Sequence, residues 1–300
     1  MKREKTLTVK PIPVPLGSHH PEAPNVVLPN HEFSMGLIAP KGAGKTTLLC
    51  NLLSYYRGYF HSIYVFSPTV NNDDKWDWVK TQPLLSENTK LDQWLKKLKK
   101  KQSGDNTVVQ KPTNIPDDFI EGLKKEGMAE NDKFTGKIPE DCFMAEYVEE
   151  DLTAILNQQQ QMVDFLKLHG KGKHLANRIL FLFDDLVGSS LFSSARRSTF
   201  KMLNTNHRHL SASLLMVSQA FKEIPKTVRT NFTCLILFEI YSDSEIEAIY
   251  NEYPMGLKRD QWIQLYQYCV KEDHSFLFYN IQKPKPVRIM KQLSEVVFFQ

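Results

Sequence analysis

Short apolar segments alternate with amphipathic segments along most of the chain. Apolar runs of the length of a strand occur at 33–39, 61–67, 178–183, 213–218, 232–238 and 274–279. Segments with the apolar spacing of a helix occur at 48–56, 152–166, 195–209, 243–252 and 259–270. Because strands that are buried on both faces have continuous apolar sequences, this alternation predicts an α/β fold. We expect a mostly parallel central sheet with helices on both faces.

Two parts of the chain depart from this pattern. Residues 1–30 contain six prolines, which predict an extended arm because proline fits neither a helix interior nor a central strand. Residues 70–148 are polar, lysine-rich and interrupted by glycine and proline, which predicts an insertion with short helices. We therefore expect one domain over 31–300 that contains this insertion. The run Gln158–Gln161 is expected on the solvated face of its helix.

Composition excludes several classes of protein. No segment approaches the roughly 18 apolar residues of a membrane-spanning helix, and the amino terminus lacks the apolar core of a secretory signal. The four cysteines are scattered without the spacing of a disulfide framework or a structural zinc site. Lysine plus arginine is 38 and aspartate plus glutamate is 34, a net charge of +4. This charge permits a nucleic-acid partner without requiring one.

A glycine-rich segment between the first predicted strand and helix carries the strongest chemical signal. It reads Ala39-Pro40-Lys41-Gly42-Ala43-Gly44-Lys45-Thr46-Thr47. This sequence matches a phosphate-binding loop, with alanine in place of the first glycine. Small residues let successive backbone N–H groups surround phosphate oxygens, and the helix N-terminus adds a favourable dipole. We expect residues 40–47 to bind ATP, Lys45 to reach its β- and γ-phosphates, and Thr46 to bind Mg²⁺. The alternative is a turn with a chance Gly-Lys-Thr.

Polar residues follow two of the predicted strands. Asp184 and Asp185 come directly after the apolar run 178–183. Asp184 is expected to hold Mg²⁺, directly or through water, and Asp185 to polarise the water that attacks ATP. A helix cap or a turn is the alternative for this acidic pair. Gln219 follows the run 213–218 and is predicted to lie between the metal and the γ-phosphate, where it would sense hydrolysis.

Further short motifs accompany these residues. They are Val65-Phe-Ser-Pro-Thr69, Phe183-Asp184-Asp185, Asn206-His-Arg208-His209, Ser218-Gln219, and Ile224-Pro225 through Val228-Arg229-x-Asn231. Together they resemble the additional-strand class of P-loop NTPases and, within it, the FtsK–HerA superfamily. The similarity extends to the genome-packaging ATPases of nucleocytoplasmic large DNA viruses, the poxvirus-type packaging ATPase family, over roughly residues 30–240.

The resemblance implies an additional-strand (RecA-like) fold and ATP hydrolysis coupled to translocation of double-stranded DNA. It also implies that Gln219 and an arginine near the next strand take part in hydrolysis. Arg229 matches this arginine by position, and Arg208 is the second choice; a structural ion pair is the alternative for both. The implied motor is a homo-oligomeric ring in the virion or the host-cell cytoplasm, with capsid or portal-vertex proteins as possible partners.

Two other functional classes stay open. A P-loop helicase would use the same core on nucleic acid, and a small-molecule phosphotransferase would not use nucleic acid at all. The lysine-rich run 91–101 combines positive charge with the apolar spacing of a helix, so it is a candidate for contact with DNA phosphates. Lys171, Lys173, Arg196 and Arg197 are further candidates. A solvated helix face is the alternative for the run.

Overall fold

A nine-stranded sheet runs through the protein, and six of its strands are parallel neighbours. The computed structural model describes residues 20–104, 136–186, 188–192 and 198–298, without the side chains of 99–104. The strands are β1 (Ser34–Ile38), β2 (Ser62–Phe66), β3 (Pro83–Leu85), β4 (Gly136–Lys137), β5 (Phe143–Met144), β6 (Ile179–Asp184), β7 (Ala212–Ser218), β8 (Cys234–Leu237), β9 (Leu277–Asn280), β10 (Ile289–Lys291) and β11 (Glu295–Val296). The sheet has the order β11-β10-β9-β8-β1-β7-β6-β2-β5, and β3 pairs with β4 separately.

The α-helices connect these strands and confirm the predicted alternation. They are α1 (Lys45–Tyr55), α2 (Asp74–Thr81), α3 (Thr89–Gly104), α4 (Glu149–Leu168), α5 (Thr199–Asn206), α6 (Lys226–Arg229), α7 (Asp243–Glu252) and α8 (Arg259–Cys269). The strands from β8 to β5 are parallel, whereas β9, β10 and β11 extend the sheet in antiparallel fashion. The predicted mostly parallel α/β fold is therefore confirmed. No helix in the described ranges has the length and hydropathy needed to cross a membrane.

One additional strand separates the two strands that carry the predicted nucleotide chemistry. Strand β7 lies between β1 and β6 and is parallel to both. In the register, Ile38 pairs with Ser218, and Asp184 pairs with Val217. The ends of β1, β6 and β7 therefore meet at one edge of the sheet, which we call the carboxyl edge. This order is the defining feature of the additional-strand class that the sequence motifs indicated.

Helix α4 shows how sequence and burial determine a long element. Three acidic residues in its first turn, beginning at Glu149, interact favourably with the helix dipole. The expectation that the glutamine run lies on a solvated face is wrong for Gln159, which is buried. Its amide donates hydrogen bonds of 2.9 Å to Asn177 O and 2.8 Å to Leu210 O. Gln159 thereby satisfies two carbonyls at the ends of connections to the sheet, where an unpaired carbonyl would be costly.

The described part of the predicted arm packs against the core. Leu28 is buried. The Tyr56 hydroxyl donates to Pro29 O at 2.6 Å, and the Tyr59 hydroxyl donates to Pro21 O at 2.7 Å. Residues 20–30 are therefore fixed by two tyrosines that follow α1. Residues 1–19 of the predicted arm lie outside the described residues.

A polar cluster lies at the opposite edge of the sheet, where β7 begins; we call this the amino edge. Three potential metal ligands have ligand atoms within 4.8 Å of one another: His20, His31 and Glu32. However, the Lys173 ammonium lies 2.6 Å from Glu32 Oε1. Both ring nitrogens of His31 also bond to serine hydroxyls, at 2.8 Å and 3.1 Å. Because a cation already binds Glu32 and two hydroxyls already bind His31, we assign the cluster to holding the amino-terminal segment on β7.

The segment predicted as an insertion, 70–148, contributes to the main sheet. Its last strand, β5, pairs with β2 and is the outermost strand on that side of the sheet. Helix α3 packs Leu91 and Trp94 against α4 and leaves Lys96 and Lys97 exposed. Residues 105–135 of this segment, the side chains of 99–101, and the residues Arg196 and Arg197 lie outside the described part.

Candidate nucleotide-binding site

The glycine-rich loop connects β1 to α1 at the carboxyl edge. Gly42 and Gly44 have φ values of 84° and 96°, a region that glycine adopts without strain. Ala39 is not among the residues with positive φ, and its side chain is buried. Alanine at this position therefore needs no unusual backbone conformation. The Ala39 N–H donates to Ser218 O at 3.1 Å, which fixes the start of the loop to the end of β7.

Two of the predicted site residues contact the same oxygen atom of a third. Lys45 Nζ lies 3.1 Å from Asp185 Oδ2, and the Gln219 amide donates to the same oxygen at 2.6 Å. The loop lysine, the acid after β6 and the glutamine after β7 therefore belong to one site. Asp185 has a φ of 54°, which aspartate tolerates better than most residues. Positive φ at such a residue is typical of functional sites, where neighbouring contacts maintain the strain.

Asp184 lies beside this group in a different environment. Its side chain is only 2% exposed. Oδ2 accepts a hydrogen bond of 2.9 Å from the Ser67 hydroxyl, and Oδ1 has no partner among the described residues. Burial raises the pKa of the Asp184 carboxyl, while the Ser67 hydrogen bond and the Lys45 charge partly oppose this shift. An unpaired, buried carboxylate oxygen within range of the Lys45 charge fits a divalent cation with oxygen ligands.

Replacing Asp184 with asparagine should keep or raise the stability of the fold while it lowers ATP turnover. Since the folded state raises the pKa of this carboxyl, the folded chain binds the proton more tightly than the unfolded chain. Ionised Asp184 therefore destabilises the protein increasingly as the pH rises through and above its unfolded pKa of about 3.9. We expect the metal-free Asp184→Asn variant to unfold at the same or a higher temperature at pH 7, with little difference near pH 3. Thermal unfolding across this pH range measures the effect.

The same variant should lose at least about a hundredfold in ATP turnover, because an amide is a poor ligand for a hard cation. Asp164→Asn, which changes an exposed aspartate on α4, is the matched control. A lower unfolding temperature for Asp184→Asn at pH 7 would contradict the cost that we assign to the buried charge.

Neither predicted arginine reaches this site within the chain. The Arg229 guanidinium makes hydrogen bonds of 2.7–3.1 Å to the Glu252 carboxylate, and the side chains of both residues are 11% exposed. It also donates to Ile224 O at 2.8 Å and lies over the Phe221 ring. Arg208 precedes β7 and is therefore at the amino edge, opposite the loop. The structure thus gives Arg229 the ion-pair environment that was the alternative to a role in hydrolysis.

Loss of the Arg229–Glu252 pair should mainly affect folding. Removing one partner of a buried, hydrogen-bonded ion pair costs about 3–5 kcal/mol because the other charge is left uncompensated. We expect Arg229→Ala and Glu252→Ala each to lower the free energy of unfolding by an amount of this order. Chemical denaturation measures it, and ATP turnover is compared per folded molecule. Loss of turnover in Arg229→Ala with normal stability, but not in Glu252→Ala, would instead support a role of Arg229 in hydrolysis.

Two residues make contacts at the site that the sequence patterns did not reveal. Ser67, noted only as part of a motif, follows β2 and orients Asp184; its position after a strand was the available signal. His274 lies between α8 and β9, and its Nδ1 is 3.1 Å from Ala43 O in the loop. His274 and Ala43 are 231 residues apart in the sequence. No local pattern could indicate this contact.

Comparison with solved structures finds viral and bacterial P-loop ATPases. The genome packaging NTPase B204 from Sulfolobus turreted icosahedral virus 2, in complex with AMPPCP, is 10% identical, with a TM-score of 0.46; the match covers 84% of this chain and 94% of B204. The pCW3 conjugation coupling protein TcpA, with ATPγS, is 12% identical, with a TM-score of 0.44 over 83% of this chain and 58% of TcpA. At these values the similarities alone establish no function.

The sequence also matches a family model. No curated protein matches the chain. The model of the Poxvirus A32 protein, in contrast, matches residues 25–115 and 129–276. These ranges contain the glycine-rich loop, the acidic pair after β6, Gln219, Arg229 and His274. Since the match includes well over half of the residues, the chain belongs to the Poxvirus A32 protein family.

Proposed function

We propose that this protein hydrolyses ATP to translocate double-stranded DNA and thereby packages a viral genome. Membership of the Poxvirus A32 family, which corresponds to the packaging-ATPase family indicated by the sequence motifs, supports the identification as a genome-packaging ATPase. One observation in the structure carries the proposal. Lys45 and Gln219 both contact Asp185, beside the buried Asp184, at the end of a phosphate-binding loop. A phosphate-binding lysine and a potential general base are thus in contact.

The contacts suggest how ATP binding and hydrolysis are ordered. The β- and γ-phosphates of ATP compete with Asp185 for the Lys45 ammonium, because phosphate oxygens carry more negative charge than one carboxylate. Once Lys45 contacts the phosphates, Asp185 Oδ2 is available to accept a proton from the attacking water. The Gln219 amide donates to this oxygen at 2.6 Å. Gln219 therefore positions Asp185. Because Gln219 directly follows β7, a change in the charge of Asp185 would alter this hydrogen bond at the end of that strand.

Mg²⁺ is the second component of the proposed site. Asp184 Oδ1 and the Thr46 hydroxyl are the groups of this chain that would hold it. When bound, Mg²⁺ neutralises charge on the phosphate oxygens and offsets the cost of the buried Asp184 carboxylate. Ser67 keeps Asp184 in one orientation through a hydrogen bond of 2.9 Å. In this proposal Asp184 would bind the metal, and Asp185 would activate the attacking water.

The partners of the proposed motor follow from translocation. A protein that moves along DNA meets a different base sequence at each step. Its contacts must therefore be made to phosphates, which carry no sequence information. The exposed Lys96 and Lys97 of α3 offer such charges. We further propose a homo-oligomeric ring, capsid or portal-vertex partners, and activity at the site of virus assembly in the host-cell cytoplasm or in the virion. The net charge of +4 is compatible with DNA as the partner.

Steady-state ATP hydrolysis tests the proposal. The unmodified protein is assayed alone, with long duplex DNA, with single strands and with forked DNA, each at several salt concentrations. We expect stimulation by duplex DNA without forks, which weakens as salt increases. The variant Lys45→Ala should show no turnover under any of these conditions.

Each of the other outcomes identifies a different class. Stimulation only by forked or single-stranded DNA would favour a helicase. Turnover that no nucleic acid changes would contradict a motor that acts on DNA by itself and would favour a phosphotransferase, which nucleoside and small-molecule acceptors could then test.

A further inference from the structure

The positions of the site residues fix the direction in which ATP lies across the sheet. The groups that would act on the γ-phosphate, Asp185 and Gln219, follow β6 and β7 on one side of β1. The triphosphate binds at the start of α1, directly after β1. Its γ end must therefore point towards β7 and β6. The nucleoside must extend in the opposite direction, towards β8 and β9.

His274 lies on this nucleoside side and contacts the phosphate-binding loop. Strand β9 runs antiparallel to β8, so it begins at the carboxyl edge, and His274 comes three residues before it. Since a carbonyl oxygen can only accept, His274 Nδ1–H donates to Ala43 O at 3.1 Å. A Cβ atom on Gly44 would lie 3.4 Å from the same nitrogen. The imidazole ring is thus packed directly against the turn of the loop before Lys45.

The conformation of the 271–275 segment holds this ring in place. His274 has a φ of 62°, a conformation that is uncommon for residues other than glycine. The adjacent Ser275 fixes the turn, because its N–H and its hydroxyl both bond to Glu272 O, at 3.0 Å and 2.6 Å. Glu272 in turn pairs with Lys291 of β10. The ring remains exposed although its backbone is fixed, so it is accessible to a ligand.

An unpacked aromatic residue lies on the same side. Tyr241 follows β8 at the carboxyl edge, and 80% of its surface is exposed. Its hydroxyl donates to Glu239 Oε2 at 3.2 Å. The Glu239 carboxylate, through this bond and its charge, raises the pKa of the Tyr241 phenol, and the charge of Asp273, the neighbour of His274, adds to the shift. Leu237 at the end of β8 pairs with Leu277 at the start of β9, so Tyr241 and His274 lie in the two segments that adjoin this end of the strands. Exposed aromatic faces of this kind bind nucleobases by stacking.

We propose that His274 and Tyr241 form the nucleoside-binding subsite of this ATPase, so that the base and ribose lie against the two rings beside the phosphate-binding loop. This inference rests on the proposed function and identifies how the same site recognises its substrate. Neither residue contacts the reacting γ-phosphate. Both are binding residues that contribute affinity for the nucleoside part alone.

The test compares a complete nucleotide with its phosphates alone. Isothermal titration calorimetry measures the binding of AMPPNP and of inorganic tripolyphosphate, each with Mg²⁺, to the full chain and to His274→Asn and Tyr241→Ala. Asparagine tolerates positive φ, and its amide nitrogen occupies the position of histidine Nδ1, so the bond to Ala43 O is retained while the rest of the ring is removed. His209→Asn at the amino edge and Tyr268→Ala are the controls.

We expect both variants to bind AMPPNP about fivefold or more weakly, because a base–aromatic contact contributes at least about 1 kcal/mol. Their affinity for tripolyphosphate should be unchanged, and the controls should bind both ligands normally. An equal loss for both ligands would show that His274 only shapes the loop, and unchanged AMPPNP binding would remove the subsite; either result overturns the inference alone. Absence of nucleotide binding by the unmodified protein would overturn the proposed ATPase function as well.

Discussion

Asp185→Asn is expected to bind ATP at least as tightly as the unmodified protein, because residue 185 no longer competes with the phosphates for Lys45. It should hydrolyse ATP about a hundred to ten thousand times more slowly. The change replaces the carboxylate that contacts both Lys45 and Gln219 with a neutral amide. An amide oxygen can still accept hydrogen bonds, but it cannot take the proton of the attacking water. Asparagine also tolerates the φ of 54° at this position, so the fold should be unaffected. Binding isotherms and single-turnover hydrolysis measure the two effects separately.

The control and the contrary outcome are both specific. Asp164→Asn changes a lysine-paired aspartate on the surface and should leave turnover intact. Hydrolysis by Asp185→Asn at the normal rate would show that another group activates the water. Asp184, whose pKa is raised by burial, would then be the next carboxylate to test as the proton acceptor.

Lys45→Ala is expected to lower ATP affinity by about thirtyfold or more, since truncating a buried, charge-assisted contact costs roughly 2–5 kcal/mol. Turnover should fall further, because the charge that develops on the phosphoryl oxygens then lacks its nearest cation. The side chain of Lys45 is only 15% exposed, so solvent does little to screen this interaction. Equilibrium binding and steady-state turnover measure the two losses.

Lys167→Ala provides a matched comparison, because Lys167 pairs with Asp164 on the surface of α4 and its side chain is 59% exposed. Such exposed pairs contribute roughly 0–1 kcal/mol, so neither affinity nor turnover should change. ATP binding by Lys45→Ala with normal affinity would mean that the loop backbone alone holds the phosphates.

The sequence predicted the site through features that are local. The glycine-rich loop and the acidic pair each directly follow a strand, and parallel strands bring such ends to one edge. The spacing of hydrophobic residues does not, however, determine the order of the strands in the sheet. The position of β7 between β1 and β6 followed from the family resemblance rather than from the hydrophobic pattern. The short strands β10 and β11 were not predicted, because three and two residues are too few for an apolar pattern.

Long-range partners account for most of what the sequence left open. Arg229 was expected to take part in hydrolysis, and within the chain its guanidinium binds Glu252, which lies 23 residues later on α7. Glutamine is usually a surface residue in helices, yet Gln159 is buried because two backbone carbonyls need its amide. His274 reaches the loop only because β9 reverses direction beside β8. In each case the partner is determined by tertiary packing, which composition and spacing do not encode.

The two ends of the nine-stranded sheet have a consequence for assembly. One end is formed by β5 and the other by β11, and each of these strands is only two residues long. β5 and β11 each offer a neighbouring molecule only two residues for pairing, which limits sheet-to-sheet polymerisation through these strands. Subunits of the proposed ring would then associate through side-chain surfaces. Such contacts can slide and re-form during a mechanical cycle, whereas a hydrogen-bonded ladder that continues from one subunit to the next would join them rigidly.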